Sequence, residues 1–391
     1  MSHDPDLTPD GPSFLVSHLF LGLFLISAPF SVALSQIGAS LACLAWMFQS
    51  VRARTMPRFP VLLPLAAFVV ASLIAALAAV DPEKSLRELR GLWIPLGIFF
   101  TTVNVLAEPR RARIGIRVLV ASTAVAASLA IGQSFVHGVD VRASGTLSHY
   151  MTFAGVLLIV GLLAAAQLLF DRSTLRGAWT GMALTLIVAA LLLTQTRGAW
   201  LAFLVGCTIL AWLWRRWTVL LVPVLALAVF VVSPSVTRER MKSLVDLEHV
   251  TMVERLHMWD AGLAAAREHP ITGVGPGNMR SLYAGYKDPN FELERPFKHL
   301  HSSPLQILAE RGLVGLVAWA SIWVAFFHAA IRRLRTTSVG DAGTRRAIVA
   351  GSIAAVGATL VAGLFECNYR DTEVCQLLYF SMALLFVDDS S

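Results

Sequence analysis

The chain has 391 residues, of which 56% are hydrophobic and only 15% are charged. Its mean hydropathy is +0.67. This composition excludes an ordinary soluble globular protein and is typical of a protein that crosses a membrane several times. The formal net charge is +7, but the arginines cluster in short loops between apolar segments. The basic balance therefore sets membrane topology and does not indicate nucleic-acid binding.

Apolar segments that are long enough, or nearly so, to cross a hydrocarbon core of roughly 30 Å recur along the chain. They cover residues 13–33, 35–50, 59–80, 91–107, 114–136, 149–170, 178–196, 199–214, 217–234, 304–331, 346–366 and 372–388. Continuous apolar runs of this kind favour helices, in which every backbone group is bonded within the segment. We therefore predict an all-α polytopic membrane protein with about twelve transmembrane helices.

The distribution of lysine and arginine predicts the orientation of these helices. One set of loops is rich in arginine, at residues 52–58, 110–117, 172–176, 215–216 and 332–346. The opposite loops carry few basic residues, so we expect both termini in the cytoplasm of a bacterial inner membrane. Helices 1 to 9 then occupy residues 1–234 and helices 10 to 12 occupy residues 304–391. The loop between them, residues 235–303, is expected in the periplasm.

The outer loop is predicted to hold two short helices that cover the membrane surface. Met252, Leu256 and Leu263 recur at helical spacing within residues 251–270. Glycines and a proline in residues 271–279 end that helix and form a tight turn before a second helical piece. We interpret this loop as a lid over a site between the transmembrane helices.

Five arginines are predicted on the outer side: Arg87, Arg90, Arg142, Arg197 and Arg255. Arg87 and Arg90 are three residues apart and share a helix face. Arg197 lies between two apolar runs, where an ionised group costs at least roughly 2.5–3.5 kcal/mol. An ionised group with such a free-energy cost usually has a charged partner or a functional role. The structural alternative for each is an arginine that reaches lipid headgroups or bonds to nearby carbonyls.

The stretch KHLHSSPLQILAERGLVG, residues 298–315, joins the outer loop to an apolar helix. Ser303 is predicted as the N-cap, Pro304 as the first helical residue and Gln306 as the partner in a capping box. His301 then lies just ahead of a helix N-terminus, which attracts phosphate. His301 is the candidate catalytic residue, although a cap or hinge role is the structural alternative. His299 is the nearby rival and His257 a more distant one.

The last hairpin carries charges and two cysteines at its outer end. We expect Glu366, Arg370, Asp371 and Glu373 to balance one another. Cys367 and Cys375 would pair only if the fold brought them together. Among residues close in sequence, no His/Cys cluster has metal-ligand spacing. The sequence therefore predicts neither a metal nor any other cofactor.

Many arginines beside one histidine suit a substrate that bears phosphate. Guanidinium groups hold phosphate oxygens in two-point contact and stay charged at any relevant pH. An imidazole accepts a proton from a hydroxyl near neutral pH. In a membrane protein the phosphate carrier would be a lipid.

At this point the chain resembles a known family. The pattern H-S-x9-G-x-x-G from His301 to Gly315 is similar to the signature of the O-antigen ligase and O-antigen polymerase superfamily. Residues 255–278 resemble the loop that precedes this signature, and TRGAW (196–200) resembles the family's membrane-edge arginine motif.

The resemblance implies a GT-C-type glycosyltransferase fold with a periplasmic active site. The donor would be a glycan on undecaprenyl diphosphate, and the acceptor a sugar hydroxyl of lipid A–core. His301 would be the general base, while Arg197 and Arg255 would bind the diphosphate. Arg90, Arg142 and Arg87 are assigned to the diphosphate only by their predicted side of the membrane. The reaction would invert the anomeric centre without a metal.

Three alternatives remain. An O-antigen polymerase of the same superfamily would extend the glycan on its lipid carrier. A protein O-oligosaccharyltransferase usually has a longer periplasmic C-terminal part than this chain shows after Val387. A transporter or flippase for lipid-linked glycan would also use membrane-edge arginines. Against it stand the absence of inverted repeats and of charges deep within the predicted spans. The oligomeric state is left unpredicted.

Overall fold

The computed structural model describes residues 15–138, 140–171, 178–233, 235–242, 250–294, 296–336 and 343–387. The predicted loop arginines at 172–176 lie outside these residues, as does the last residue of the predicted span 372–388. In chain order the helices are α1 (Leu15–Ser27), α2 (Val32–Ala53), α3 (Leu62–Leu77), α4 (Pro82–Glu88), α5 (Trp93–Val105), α6 (Pro109–His137), α7 (Tyr150–Phe170), α8 (Trp179–Leu193), α9 (Arg197–Trp214), α10 (Leu221–Val232), α11 (Ser235–Lys242), α12 (Val250–Glu268), α13 (Met279–Tyr286), α14 (Ser303–Thr336), α15 (Gly343–Ala362) and α16 (Thr372–Leu384). No strand occurs in the described residues.

Within the residues that the structure describes, six helices are long and apolar enough to cross a membrane: α2, α6, α7, α9, α14 and α15. Four shorter apolar segments accompany them, namely α1, α3, α8 and Arg216–Val232. The chain is therefore a polytopic helical membrane protein, as predicted. The count of about twelve spans remains a prediction, because α5 and α16 have only 13 residues each. At 1.5 Å per residue, each would be roughly 20 Å long.

Helix α7 lies at the centre of the bundle. Its residues Phe153 to Leu163 are buried on every side, and the segment is apolar throughout. A helix that is apolar all round belongs inside a helical assembly. It packs chiefly against α15, with α8, α9, α6 and α16 around it. This core fixes the positions of the polar segments at the helix ends.

The segments predicted to share the outer side meet at one end of the bundle. Ser85, on α4, donates a hydrogen bond to the carbonyl of Pro276 in the loop at 2.9 Å. Arg370 reaches Glu88 at 3.4 Å. The indole nitrogen of Trp259 on α12 donates to the carbonyl of Leu300 at 2.9 Å. The first two contacts join α4 to the glycine-rich turn and to the last hairpin, and the third joins α12 to the segment that carries His301.

Helix α14 is broken at Gly312, whose backbone is non-helical (φ 63°, ψ −168°). The break leaves carbonyls without their helical partners, and the glycine-rich turn supplies new ones. Ala309 accepts a hydrogen bond from the amide of Val274, and Glu310 accepts one from Gly275, each at 3.0 Å. A helix end inside protein must find such partners.

Glycine is required on both sides of this junction. A Cβ on Gly312 would lie 2.2 Å from the carbonyl oxygen of Ile271, and one on Gly273 would lie 2.4 Å from the backbone of Glu310. Leu313 also donates to the carbonyl of Pro270 at 2.8 Å. Two backbones therefore meet with no side chain between them, which fixes the outer loop against α14.

Candidate active site

His301 lies in the turn that precedes α14, with a left-handed backbone (φ 48°). A residue other than glycine pays of order 1–3 kcal/mol for such a conformation, and strain of this kind clusters at functional sites. The amide of His301 donates to Nδ1 of His299 at 3.2 Å. The two imidazole rings are 4.2 Å apart between centroids. The histidine pair is thus one local unit.

The predicted capping box at Ser303 is wrong. The Ser303 amide donates to the carbonyl of Gly363 at 2.7 Å, and its hydroxyl donates to the carbonyl of Glu366 at 3.0 Å. Gln306 instead accepts from the amide of Leu300 at 2.8 Å. The turn after α15 takes both Ser303 donors, so tertiary contacts replace the local cap and join α14 to the last hairpin.

The carboxylate of Glu366 lies close to both histidines. Nδ1 of His301 lies 3.1 Å from the Glu366 carboxylate, and Nε2 of His299 lies 3.6 Å from it. Burial alone would raise the pKa of Glu366. The hydrogen bond and charge of His301, with the charges of His299 and Arg255, instead lower that pKa to about 2. An ionised Glu366 favours a proton on Nδ1 of His301, which leaves Nε2 as the free basic nitrogen.

His299 is held in the complementary tautomer. Its Nδ1 accepts the backbone N–H of His301, so the proton of the neutral ring lies on Nε2, toward Glu366. Burial is the main reason that the pKa of His299 is lowered to about 4. The ring is therefore neutral at neutral pH.

His299, His301 and Glu366 place three ligand-type atoms within 4.8 Å of one another. This corrects the expectation that no cluster has metal-ligand geometry, because Glu366 is distant in sequence. A metal needs a lone pair on each histidine nitrogen. The tautomer that accepts the His301 amide leaves a proton on Nε2 of His299. The hydrogen bonds therefore favour a proton-sharing group over a metal site.

Arg255 is the predicted arginine most directly related to His301. It lies on α12, and its charge contributes to the lowered pKa of Glu366. Among the described residues, Arg255 has no hydrogen-bond or ion-pair partner. Its guanidinium donors are available to a ligand.

Arg142 and Arg197 lie around the same cluster. Arg142 stacks over the ring of Tyr150 at 4.5 Å. Burial lowers the pKa of His149, and His301 and Arg142 are close enough to lower it further. Arg197, the first residue of α9, donates to the Thr251 hydroxyl one turn before Arg255.

Arg87 and Arg90 lie apart from His301. Arg87 pairs with Glu83 at 3.0 Å, and both side chains are largely exposed. Arg90 lines a cavity of about 410 Å³ whose wall includes Ser303 and Trp319. The predicted arginines thus form two sets, one near the histidines and one in or beside a neighbouring cavity.

That cavity is bordered by a charged network that the sequence did not reveal. Glu310 accepts from Gln306 at 2.8 Å, from Tyr369 at 3.2 Å and from Arg370 at 3.3 Å. Arg311 lies 3.5 Å from Glu310. Glu310 and Arg311 are 1% and 4% exposed, which corrects the view that the spans carry no charge away from their ends. Their occurrence within residues 304–331 was the available signal.

The expectation that the last hairpin balances its own charges is also wrong. Glu366 pairs with the histidines, and Arg370 pairs with Glu310 and Glu88. Cys367 and Cys375 are free buried thiols. Burial raises the pKa of Asp371 to about 7, helped by Glu366 and Glu373.

Residues 181–320 match the family described as O-antigen ligase. No curated protein matches the chain. The matched region contains Arg197, Arg255 and His301, the broken helix at Gly312 and the glycine-rich turn that docks on it. This part of the chain is therefore similar to the O-antigen ligase family.

Proposed function

We propose that this protein is an O-antigen ligase that transfers a glycan from undecaprenyl diphosphate to a sugar hydroxyl of lipid A–core. The observation that carries the proposal is the His301–Glu366 pair, which leaves one imidazole nitrogen basic within the family-matched region. The proposal includes a GT-C-type fold of about twelve spans, a periplasmic active site in the inner membrane and cytoplasmic termini. Helices α12 and α13 serve as the lid.

In the proposed reaction, Nε2 of His301 removes the proton from the acceptor hydroxyl. The oxygen attacks the anomeric carbon from the face opposite the diphosphate. A new glycosidic bond forms as the bond between the anomeric carbon and the diphosphate breaks. The electron pair of the broken bond leaves with the diphosphate. The anomeric centre inverts. Glu366 stabilises the imidazolium that forms, and base catalysis of this kind typically contributes about 10²–10⁴-fold.

The diphosphate is assigned to arginines. Arg255 acts electrostatically on Glu366, and Arg142 acts on His149 beside the same cluster, while Arg197 supports the first turn of α12 through Thr251. Guanidinium groups that face developing negative charge take the part that a cation plays in other transferases. Arg90 would meet substrate in the neighbouring cavity, and Arg87 would contribute least.

The test is transfer by purified protein, given lipid-linked glycan and lipid A–core in the presence of EDTA. Wild type should form the conjugate, and His301→Ala should lose at least about 10²-fold of the rate. His257→Ala is the matched control, because His257 stacks on Phe291 in the outer loop. Both variants should elute as folded protein. Full transfer by His301→Ala, or a rate abolished by EDTA, would contradict the proposal.

A second pair of variants tests the diphosphate assignment. Arg255→Ala should raise the KM for the donor by about tenfold or more, because charge-assisted contacts contribute roughly 1.5–3 kcal/mol. Arg267→Ala removes an exposed arginine from the same helix and should leave the KM unchanged. Equal effects of the two substitutions would point to a general loss of surface charge.

The polymerase alternative uses the same chemistry, because its acceptor is also a sugar hydroxyl. The two reactions are separated by supplying each acceptor in turn. Longer lipid-linked chains without a lipid A–core conjugate would favour the polymerase. Movement of intact lipid-linked glycan across proteoliposomes would favour the flippase.

A further inference from the structure

A groove runs between α3 and α14 at the arginine-rich end of α14, far along the chain from His301. It has a volume of about 1180 Å³. Its α3 side is formed by Val61, Leu63, Pro64 and Ala67. Its α14 side extends from Val317 to Thr336. The groove is separate from the histidine cluster and from the cavity at Arg90.

The floor of the groove is apolar and uncovered. Leu63, Val317 and Val324 are 82%, 60% and 69% exposed. Because α14 is a candidate membrane span and α3 is a shorter apolar helix beside it, we expect these side chains to face lipid hydrocarbon. A concave apolar strip between two spans has the shape and polarity to hold an acyl chain.

The end of the groove is cationic. His328 and Arg332 are one turn apart on α14, and Arg333 also lines the groove. No acidic side chain is found among the described residues that line it. This charge complements a lipid phosphate.

The N-terminus of α3 adds a second feature that favours an anion. Its N-cap, Val61, has a left-handed backbone and provides no side-chain hydrogen bond to the first turn. Pro64 has no amide hydrogen and the Leu65 amide donates to the carbonyl of Val61 at 3.3 Å, so the free donors of this turn are the amides of Leu62 and Leu63, with the positive end of the helix dipole behind them. They lie on the same groove as Arg332 and Arg333.

We propose that this groove binds an anionic glycerophospholipid. The phosphate lies among Arg332, Arg333 and the first turn of α3, and one acyl chain lies along Leu63, Val317 and Val324. The arginine-rich end predicts the cytoplasmic leaflet as the source of the lipid. The site is independent of the proposed glycan transfer.

The experiment titrates phosphatidylglycerol and phosphatidylcholine into delipidated protein and counts bound lipid by native mass spectrometry. Wild type should retain phosphatidylglycerol preferentially. Arg332→Ala should weaken that binding about fivefold, the effect of roughly 1 kcal/mol per basic residue. Arg335→Ala is the matched control, because it removes an exposed arginine from the same turn outside the groove. Equal losses in the two variants would overturn the proposal in favour of diffuse surface charge.

A second substitution tests the acyl-chain half of the site. Val324→Trp should fill the groove and displace the lipid without a change of charge. Ile331→Trp places the same ring on an exposed position of α14 outside the groove and should have no effect. Unchanged lipid binding in Val324→Trp, equal competition by inorganic phosphate, or a dimer that Val324→Trp dissociates would each overturn the proposal.

Discussion

Two charged clusters lie on either side of the start of α14, and they use their charges differently. In the first, Glu366 accepts from His301 and lies 3.6 Å from His299, while Arg255 has no hydrogen-bond or ion-pair partner among the described residues. In the second, both carboxylate oxygens of Glu310 are engaged by neighbouring side chains. The first cluster therefore keeps guanidinium donors that have no partner among the described residues, whereas the second uses its charges within a network that borders the cavity.

The two clusters also differ in side-chain exposure and in backbone conformation. The His301 side chain is 24% exposed and its backbone is left-handed. The Glu310 side chain is 1% exposed, just before the break at Gly312. A buried charge network with all partners present specifies a conformation. A half-exposed imidazole with one free nitrogen is suited to proton transfer. The comparison therefore supports the proposal that the Glu310 cluster has a structural role and that the His301 cluster is catalytic.

The largest effect is expected from Glu310→Ala. This substitution would leave Arg311 and Arg370 without their buried counter-charge, which costs about 3–5 kcal/mol. The thermal unfolding temperature in detergent should fall sharply, with loss of monodisperse protein. Glu83→Ala, which removes an exposed carboxylate, is the control. An unchanged unfolding temperature for Glu310→Ala would erase the distinction between the clusters.

Glu366→Gln should act mainly on the rate. The amide preserves the size of the side chain but removes the charge that stabilises the imidazolium, so we expect a loss of about 10²-fold in kcat. The unfolding temperature should change much less than in Glu310→Ala. The opposite pattern, a normal rate in a strongly destabilised protein, would mean that Glu366 has a structural role like that of Glu310.

Much of the helical layout was predictable, and the contacts of the site were not. The predicted spans 149–170 and 199–214 nearly coincide with α7 and α9. The length of such an apolar run is set directly by the thickness of the hydrocarbon core that the helix must cross. Glu366 is 65 residues from His301, and only the packing of the last hairpin brings them together. Spacing along the chain contains no trace of that contact.

The break in α14 was hidden for a related reason. The apolar pattern continues on both sides of Gly312, so periodicity predicts an uninterrupted helix. The break depends on the turn at 270–275, which supplies hydrogen-bond partners from outside the helix. The local capping signal at Ser303 failed similarly, because Gly363 and Glu366 took its donors. Local patterns predict elements, whereas tertiary hydrogen bonds decide their ends.

A smaller effect is expected in the pH dependence of stability. The pKa of His299 is lowered from 6.5 to about 4, mainly by burial. The unfolded chain therefore binds more protons than the folded chain between those pH values. The contribution of His299 to the free energy of unfolding is lost as pH falls from about 6.5 to about 4. His299→Gln keeps an acceptor and a donor in similar positions without titrating. Its unfolding temperature should fall less than that of wild type on acidification.

The measurement has to compare wild type with His299→Gln, because Asp371 changes stability with pH in the direction opposite to His299. Its pKa is raised from 3.8 to about 7, so its contribution is lost as pH rises through that window. Asp371 is present in both proteins, and subtraction of the two curves isolates His299. Parallel curves would show that His299 takes up protons equally in the folded and unfolded states.

The smallest effect separates the two arginines that precede α5. Arg87 is already paired with Glu83 on an exposed surface, where such pairs contribute about 0–1 kcal/mol. Arg87→Ala should therefore leave the unfolding temperature nearly unchanged and the transfer rate within about twofold of that of wild type. Arg90 lines the cavity beside Ser303, and Arg90→Ala should raise the KM for a lipid-linked substrate about fivefold, since a contact to a charged group contributes roughly 1 kcal/mol or more. Equal KM values for the two variants would place Arg90 with the solvated arginines and restrict ligand binding to the His301 side of α14.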